Sequence, residues 1–257
     1  MIKEDVKFIN STVFEGMTSI RAIIRAWDDG IARRQIKEIL YDGARLSKIA
    51  KEIGYLKAVS EKYGFSVIES SSEKIDELTL GSSHGGIIAI TEERIIPCLA
   101  PDSPIKPDGF YCMIQGIEDP YNFGYSLRSL YACGCDGIIL PERNWMTAAG
   151  VVARSSAGAS EMLPMYTADP ISTAEHFKAL GYTIVCAEEK TENVLGKCEM
   201  KLPILLIVGG EKRGISKSLI DCADLLVKIN YAREFRASLS AASATTMFAY
   251  EIMRQNS

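Results

Sequence analysis

Asp119, Pro120, Asn122, Gly124 and Arg128 stand close together, directly after an apolar run at 110–114. A guanidinium beside a turn is a ready clamp for phosphate, and Asp, Pro, Asn and Gly are the residues that build such turns. A second group follows the run Leu205, Leu206, Ile207 and Val208, which breaks into Gly209 and Gly210, carries Glu211 and restarts at Gly214. A strand ending in a Gly-rich turn is where α/β proteins hold ligands, although a tight β-to-α connection alone also asks for these glycines. A third group runs from a short strand at 226–229 through an Arg-bearing loop to Ser238 and Leu239. It ends in a helix of Ser, Ala, Thr and Met. Hydroxyls at that helix start either cap it or touch a ligand. Arg128, Arg154, Lys212, Arg213, Arg233 and Arg236 all fall in or beside these loops. Brought to one sheet edge, they would form a phosphate-binding surface.

The elements that must position these groups alternate. Apolar runs at 110–114, 137–140, 182–187, 203–208 and 225–229 are separated by helical patterns, which predicts a parallel sheet flanked by helices. A helix is expected from about Tyr125, with Arg128 on its first turn, and another over 238–253. No G-x-G-x-x-G follows any of the strands, which excludes an ordinary dinucleotide-binding fingerprint. Pro97, Pro101, Pro104 and Pro107 mark a linker at 93–108, so the chain divides into domains at 1–92 and 109–257.

No apolar run approaches the roughly 20 residues that span a bilayer. The N-terminus lacks a secretory pattern, and a cytoplasmic protein is expected. Seven scattered cysteines read as reduced, mostly buried thiols. The pair Cys133 and Cys135 has no second pair or neighbouring histidine, so no metal site is expected. The net charge of -4 argues against a uniformly basic nucleic-acid binder. Locally, however, Arg21, Arg25, Arg33, Arg34 and Lys37 cluster with only Asp28 and Asp29 among them, as a solvated helix face or an RNA-facing patch.

The three groups, in this order and together with RSSAGASEMLPMY at 154–166, resemble the SpoU (TrmH-like) family of RNA ribose methyltransferases in the SPOUT superfamily. The first motif, D-P-x-N-x-G-x-x-x-R, is complete at Asp119, Pro120, Asn122, Gly124 and Arg128. The second, G-x-E-x-x-G, is met by Gly209, Glu211 and Gly214. The third is met in part by Ile229, Ser238, Leu239, Ser243 and Ala244. There Asn230 and Tyr231 replace Pro and Met, and Ser240 replaces Asn. Residues 15–27 and 83–89 resemble the helix that opens and the strand that closes the family's small ribosomal-protein-like α/β domain, which recruits RNA in relatives.

The resemblance implies a C-terminal α/β domain with a parallel sheet and a deep trefoil knot, and S-adenosylmethionine as cofactor at Gly209, Ile229 and Leu239. It implies transfer of a methyl group to a ribose 2′-hydroxyl of rRNA or tRNA by a homodimer. Arg128 would clamp phosphate and stabilise developing charge, with Asn122, Glu211 and Ser238 as the other site residues. The departures in the third motif leave open a catalytically inactive RNA- or ribosome-binding module on the same fold. The target itself stays open, and relatives that methylate a ribosomal site to confer antibiotic resistance give a third alternative, with target choice residing in the N-terminal domain and the loops around Arg233.

Overall fold

The structure, a computed structural model, describes residues 12–31, 34–79, 84–142, 148–210, 213–234 and 237–257. They form two compact units, Met1–Ile95 with Asn144–Met162, and Ile96–Arg143 with Leu163–Ser257.

The first unit carries β1 (Val13–Glu15), β2 (Ile36–Asp42), β3 (Ser66–Ser70) and β4 (Ile87–Thr91) in the order β1-β4-β2-β3. β4 runs antiparallel to β1 and β2, whereas β2 and β3 are parallel. A parallel pair needs a crossover, supplied by α2 (Leu46–Tyr63), which stops at Gly64 with a left-handed φ of 77°. α1 (Gly16–Asp28) buries Ile20, Ile23 and Ile24, a helical stripe in the sequence EGMTSIRAIIRAW. α3 (Ser72–Leu78) starts at Ser71, whose hydroxyl accepts the Lys74 N–H at 3.3 Å. The expected closing strand begins at Ile87. Before it His84 Nδ1 accepts the Gly86 N–H at 3.1 Å, so Nε2 carries the proton donated to Asp76 at 3.0 Å. Ser83 and Arg33 lie outside the described residues.

Two helices that follow α4 (Pro120–Ala132) in the chain, α5 (Ala149–Ser155) and α6 (Ala159–Met162), belong to this first unit. Glu161 of α6 pairs with Arg34 at 3.2 Å and with Arg94 at 3.9 Å, all three buried. Arg34 also donates to Thr91 Oγ1 and the Glu92 carbonyl, and its guanidinium lies 4.5 Å from the Phe14 ring centroid. Arg34 is therefore a core residue and not part of an exposed patch. Arg154 of α5 pairs with Glu15 at 2.7 Å.

The second unit is a six-stranded parallel sheet, β10-β8-β9-β5-β6-β7. Its strands are β5 (Phe110–Gln115), β6 (Gly137–Leu140), β7 (Met165–Thr167), β8 (Thr183–Ala187), β9 (Ile204–Gly209) and β10 (Leu225–Val227). The chain moves outward from β5 to β7, crosses to β8, returns to β9 beside β5, and leaves for β10. Strand direction of travel reverses between β5 and β9, and such switch points open crevices at strand C-termini. The central strands are buried along nearly their whole length, which is why they read as continuous apolar runs. Tyr111, Phe177 and Tyr182 meet edge-on in the core, with centroids 4.9 to 5.9 Å apart. Besides α4 the unit has α7 (Pro170–Ala179), α8 (Lys217–Cys222) and α9 (Ala241–Gln255), and α4 packs against α9.

Three local expectations shift. The turn expected before Tyr125 is already helix: Asp119 caps the N–H groups of Tyr121 and Asn122, and Pro120 occupies the first turn, so Arg128 stands in the third turn. The last helix begins at Ala241, capped by Ser240. The proline-rich stretch is pinned along β7, with the Thr167 N–H donating to the Pro97 carbonyl at 2.9 Å and the Leu99 N–H to the Thr167 carbonyl at 2.8 Å. Among the described residues no helix is long and apolar enough to cross a membrane.

Candidate ligand cleft

The C-terminal ends of β8 and β9 open into a cleft of about 260 Å³. Its walls include Ala187, Glu188, Glu189 and Lys190 after β8, Gly209, Gly210 and Gly214 around the β9 turn, and Ser238, Leu239, Ala241 and Ala244 at the start of α9. A smaller adjoining cleft of about 110 Å³ shares Glu189, Ser238 and Leu239 and adds Ile229 and Tyr231. Gly209, Ile229, Ser238 and Leu239, far apart in the sequence, are thus brought together.

Close backbone approach makes glycine obligatory at this turn. A Cβ on Gly209 would lie 2.5 Å from the Gly214 carbonyl carbon, and one on Gly210 would fall on the Gly116 carbonyl. Gly116 itself leaves β5 with φ 73°, and the Gly214 N–H closes the turn onto the Gly210 carbonyl at 3.0 Å. Glu211 and Lys212 in this turn, and Arg236 in the next loop, lie outside the described residues.

Ser238 is not the helix cap. Its hydroxyl donates to Glu189 Oε1 at 3.2 Å, whereas Ser240 Oγ accepts the Ser243 N–H at 3.2 Å. Tyr231 folds its hydroxyl back to accept the Leu239 N–H at 3.2 Å, which fixes the loop between β10 and α9. Two of the third-motif departures, Tyr231 and Ser240, therefore carry structural hydrogen bonds. Asn122 and Arg128 line neither cleft: Asn122 is half-buried in the first turn of α4, and Arg128 is exposed two turns further on. Arg213 and Arg233 are exposed.

Glu188, Glu189 and Tyr231 do not stand out in the sequence as ligand-facing. The signal for the glutamates is their place immediately after the apolar run of β8; that for Tyr231 is its place in the third motif, which marks the position but not its bond to Leu239. The seven cysteines are free, and burial pushes the thiols of Cys112, Cys135 and Cys186 up, that of Cys186 to about 12. Such thiols are poor nucleophiles and poor metal ligands. Among the described residues no group of three or more His, Cys, Asp or Glu could hold a metal ion.

A parallel sheet with a glycine-walled cleft at its strand ends, closed by a final small-residue helix, defines a ligand-binding α/β domain without the usual dinucleotide turn. Residues 109–250 match the SpoU rRNA Methylase family, and the chain belongs to that family. It is 27% identical to the 23S rRNA (guanosine-2'-O-)-methyltransferase RlmB of Shewanella oneidensis, across 99% of each chain. It also resembles the SpoU methyltransferase AviRb of Streptomyces viridochromogenes, solved in complex with AdoMet. That match has 25% identity and TM-score 0.75, and covers 95% of this chain and 89% of the other. An AdoMet-bound rRNA methyltransferase of Sinorhizobium meliloti shares the fold at 22% identity and TM-score 0.76, over 98% and 94% of the two chains.

Proposed function

We propose that the protein is an S-adenosylmethionine-dependent methyltransferase that modifies a ribose 2′-hydroxyl of rRNA or tRNA. The observation that carries this reading is the glycine-walled cleft of a SpoU-family chain, formed where Gly209, Ile229, Ser238 and Leu239 converge. The cleft fits the cofactor on three counts. Gly209 and Gly214 meet backbone to backbone and put no side chain into the cleft, Leu239 and Ile229 offer apolar surface to an adenine, and Glu188, Glu189 and Lys190 present both signs of charge to a ligand that carries a sulfonium, an ammonium and a carboxylate. S-adenosylmethionine supplies an electrophilic methyl carbon.

The work left to the protein is alignment of the 2′-oxygen in line behind that carbon, and stabilisation of its charge as the proton leaves. Arg128 is the phosphate clamp and electrostatic stabiliser. A guanidinium stays protonated up to about pH 12 and makes an unsuitable base, so the proton passes to a phosphate oxygen or water. Asn122 orders the start of α4, Ser238 holds Glu189 at the cleft, and Glu211 is a site residue by its place in the second motif.

The protein works as a cytoplasmic homodimer, with a trefoil knot formed by the segment leading into α9 and with the first domain recruiting RNA. Support for the dimer comes from large exposed side chains on the paired helices, Tyr121 and Tyr125 on α4 and Met247 and Tyr250 on α9. Tyr121, Tyr125 and Arg128 recur at helical spacing on one exposed face, so a partner seated there brings Arg128 to the subunit boundary.

Methyl-labelled S-adenosylmethionine and RNA from a strain lacking the gene test the reading. Wild type transfers label to an alkali-resistant linkage. Arg128→Ala loses at least 100-fold in transfer while cofactor affinity stays within twofold. Cofactor binding without transfer to any RNA or ribosomal particle would favour the binding-module alternative.

A further inference from the structure

α1 and α2 lie side by side and run in the same direction, since a residue midway along each is paired and the residues at their two C-terminal ends meet. Arg21 sits over the Tyr55 ring at 5.6 Å, Trp27 meets Tyr63 at 4.6 Å between centroids, and Lys62 reaches Asp28 at 2.7 Å. Lys48, Lys51 and Tyr55 recur at i, i+3 and i+7 on α2, which puts both lysines on the face where Tyr55 meets Arg21. Arg21, Arg25, Lys48 and Lys51 are exposed, and Tyr55 keeps 40% of its surface open.

Two of the three carboxylates beside this seam are paired, and Glu52 is the charge that opposes it. Asp28 is engaged by Lys62 and by the Tyr63 hydroxyl, which together hold its carboxyl below the usual range. Asp29 pairs with Arg25 at 3.6 Å, and Glu52 is half-buried on α2. A chain with net charge -4 thus concentrates an aromatic-backed basic stripe on one pair of helices. A guanidinium stacked on an aromatic face leaves its N–H edge free for a phosphate oxygen.

We infer that the α1–α2 seam is the surface on which the first unit grips its RNA. The sugar–phosphate backbone would be held by Arg21, Lys48 and Lys51, with Arg21 fixed by Tyr55. The inference rests on the RNA-modifying reading above and adds the location and chemistry of its RNA contact. Charge complementarity selects the occupant: the stripe offers phosphate-binding cations and a ring, and no exposed apolar run for a protein partner.

The test is filter binding of end-labelled total RNA to the full-length protein across a salt series, with cofactor affinity measured on the same samples. Combined Arg21→Ala, Lys48→Ala and Lys51→Ala substitution is expected to weaken RNA binding at least tenfold. It should flatten the slope of log affinity against log salt by about 2 to 3, at roughly 0.7 to 0.9 per lost phosphate contact. KM for RNA rises and kcat stays within twofold. Glu52→Gln, which removes an opposing charge, should tighten binding severalfold, a gain that a misfolded variant cannot mimic. Unchanged affinity and slope in the triple variant would overturn the seam while leaving the methyltransferase reading intact. Failure of the wild-type protein to bind any RNA would overturn both.

Discussion

Gly209 and Gly54 show how differently one residue type is used. Gly209 abuts the backbone of Gly214, whereas a Cβ on Gly54, inside α2, meets nothing within 4 Å. Gly209→Ala is expected to reduce S-adenosylmethionine affinity at least tenfold by calorimetry, because the β9 turn must open to admit the methyl group. Gly54→Ala should instead raise stability by about 0.5 to 1 kcal/mol in denaturant melts, since Ala forms helix better than Gly. The importance of Gly209 is legible in the sequence, because a buried strand that breaks into paired glycines marks a turn where backbones approach closely. The cleft roles of Glu189 and Tyr231 are not: each depends on a partner, Ser238 or Leu239, that only the folded loop supplies.

α4 and α9 illustrate what periodicity can and cannot locate. Their existence is plain from the pattern, but their starts differ from it because the deciding contacts are side-chain caps at Asp119 and Ser240. β7 is invisible to the pattern because three residues give no period, and the Pro97–Leu99 stretch that accompanies it reads as linker until hydrogen bonds to Thr167 are drawn. At the far end of α9, Glu251 accepts from Arg254 at 2.7 and 2.8 Å and from Gln255 at 2.7 Å. The Arg254 guanidinium holds its carboxyl down to about 2, against an ordinary value of 4.5. A lowered folded pKa stabilises fully above the ordinary value and is lost as pH falls through the folded one. Wild type should therefore be more stable than Glu251→Gln at pH 6, with the gap closing between pH 4.5 and 2. A gap independent of pH would mean that the carboxylate charge contributes nothing.

Over the whole molecule, the parallel sheet and its strand-end cleft follow from alternating apolar runs, and the family from three spaced motifs. The grouping of Asn144–Met162 with the first unit does not follow from either. Its cause is a buried pairing across 127 positions, Glu161 with Arg34, joined by Arg94. No local pattern encodes such a contact. Removing the one carboxylate would strand two buried guanidinium groups, so Glu161→Gln should cost about 3 to 5 kcal/mol of stability. Thermal melts would register this as a marked drop in Tm, and a change within error would show that the cluster is not holding that segment.

The central claim, ribose methylation of RNA, is tested most directly by nucleoside mass spectrometry. Total RNA from a strain lacking the gene would be digested before and after incubation with the protein and S-adenosylmethionine. The expected result is one 2′-O-methylnucleoside that is depleted in the deletion strain and restored by wild-type protein but not by Arg128→Ala. Methyl groups restored on a base, or identical ribose methylation in the presence and absence of the gene, would contradict it.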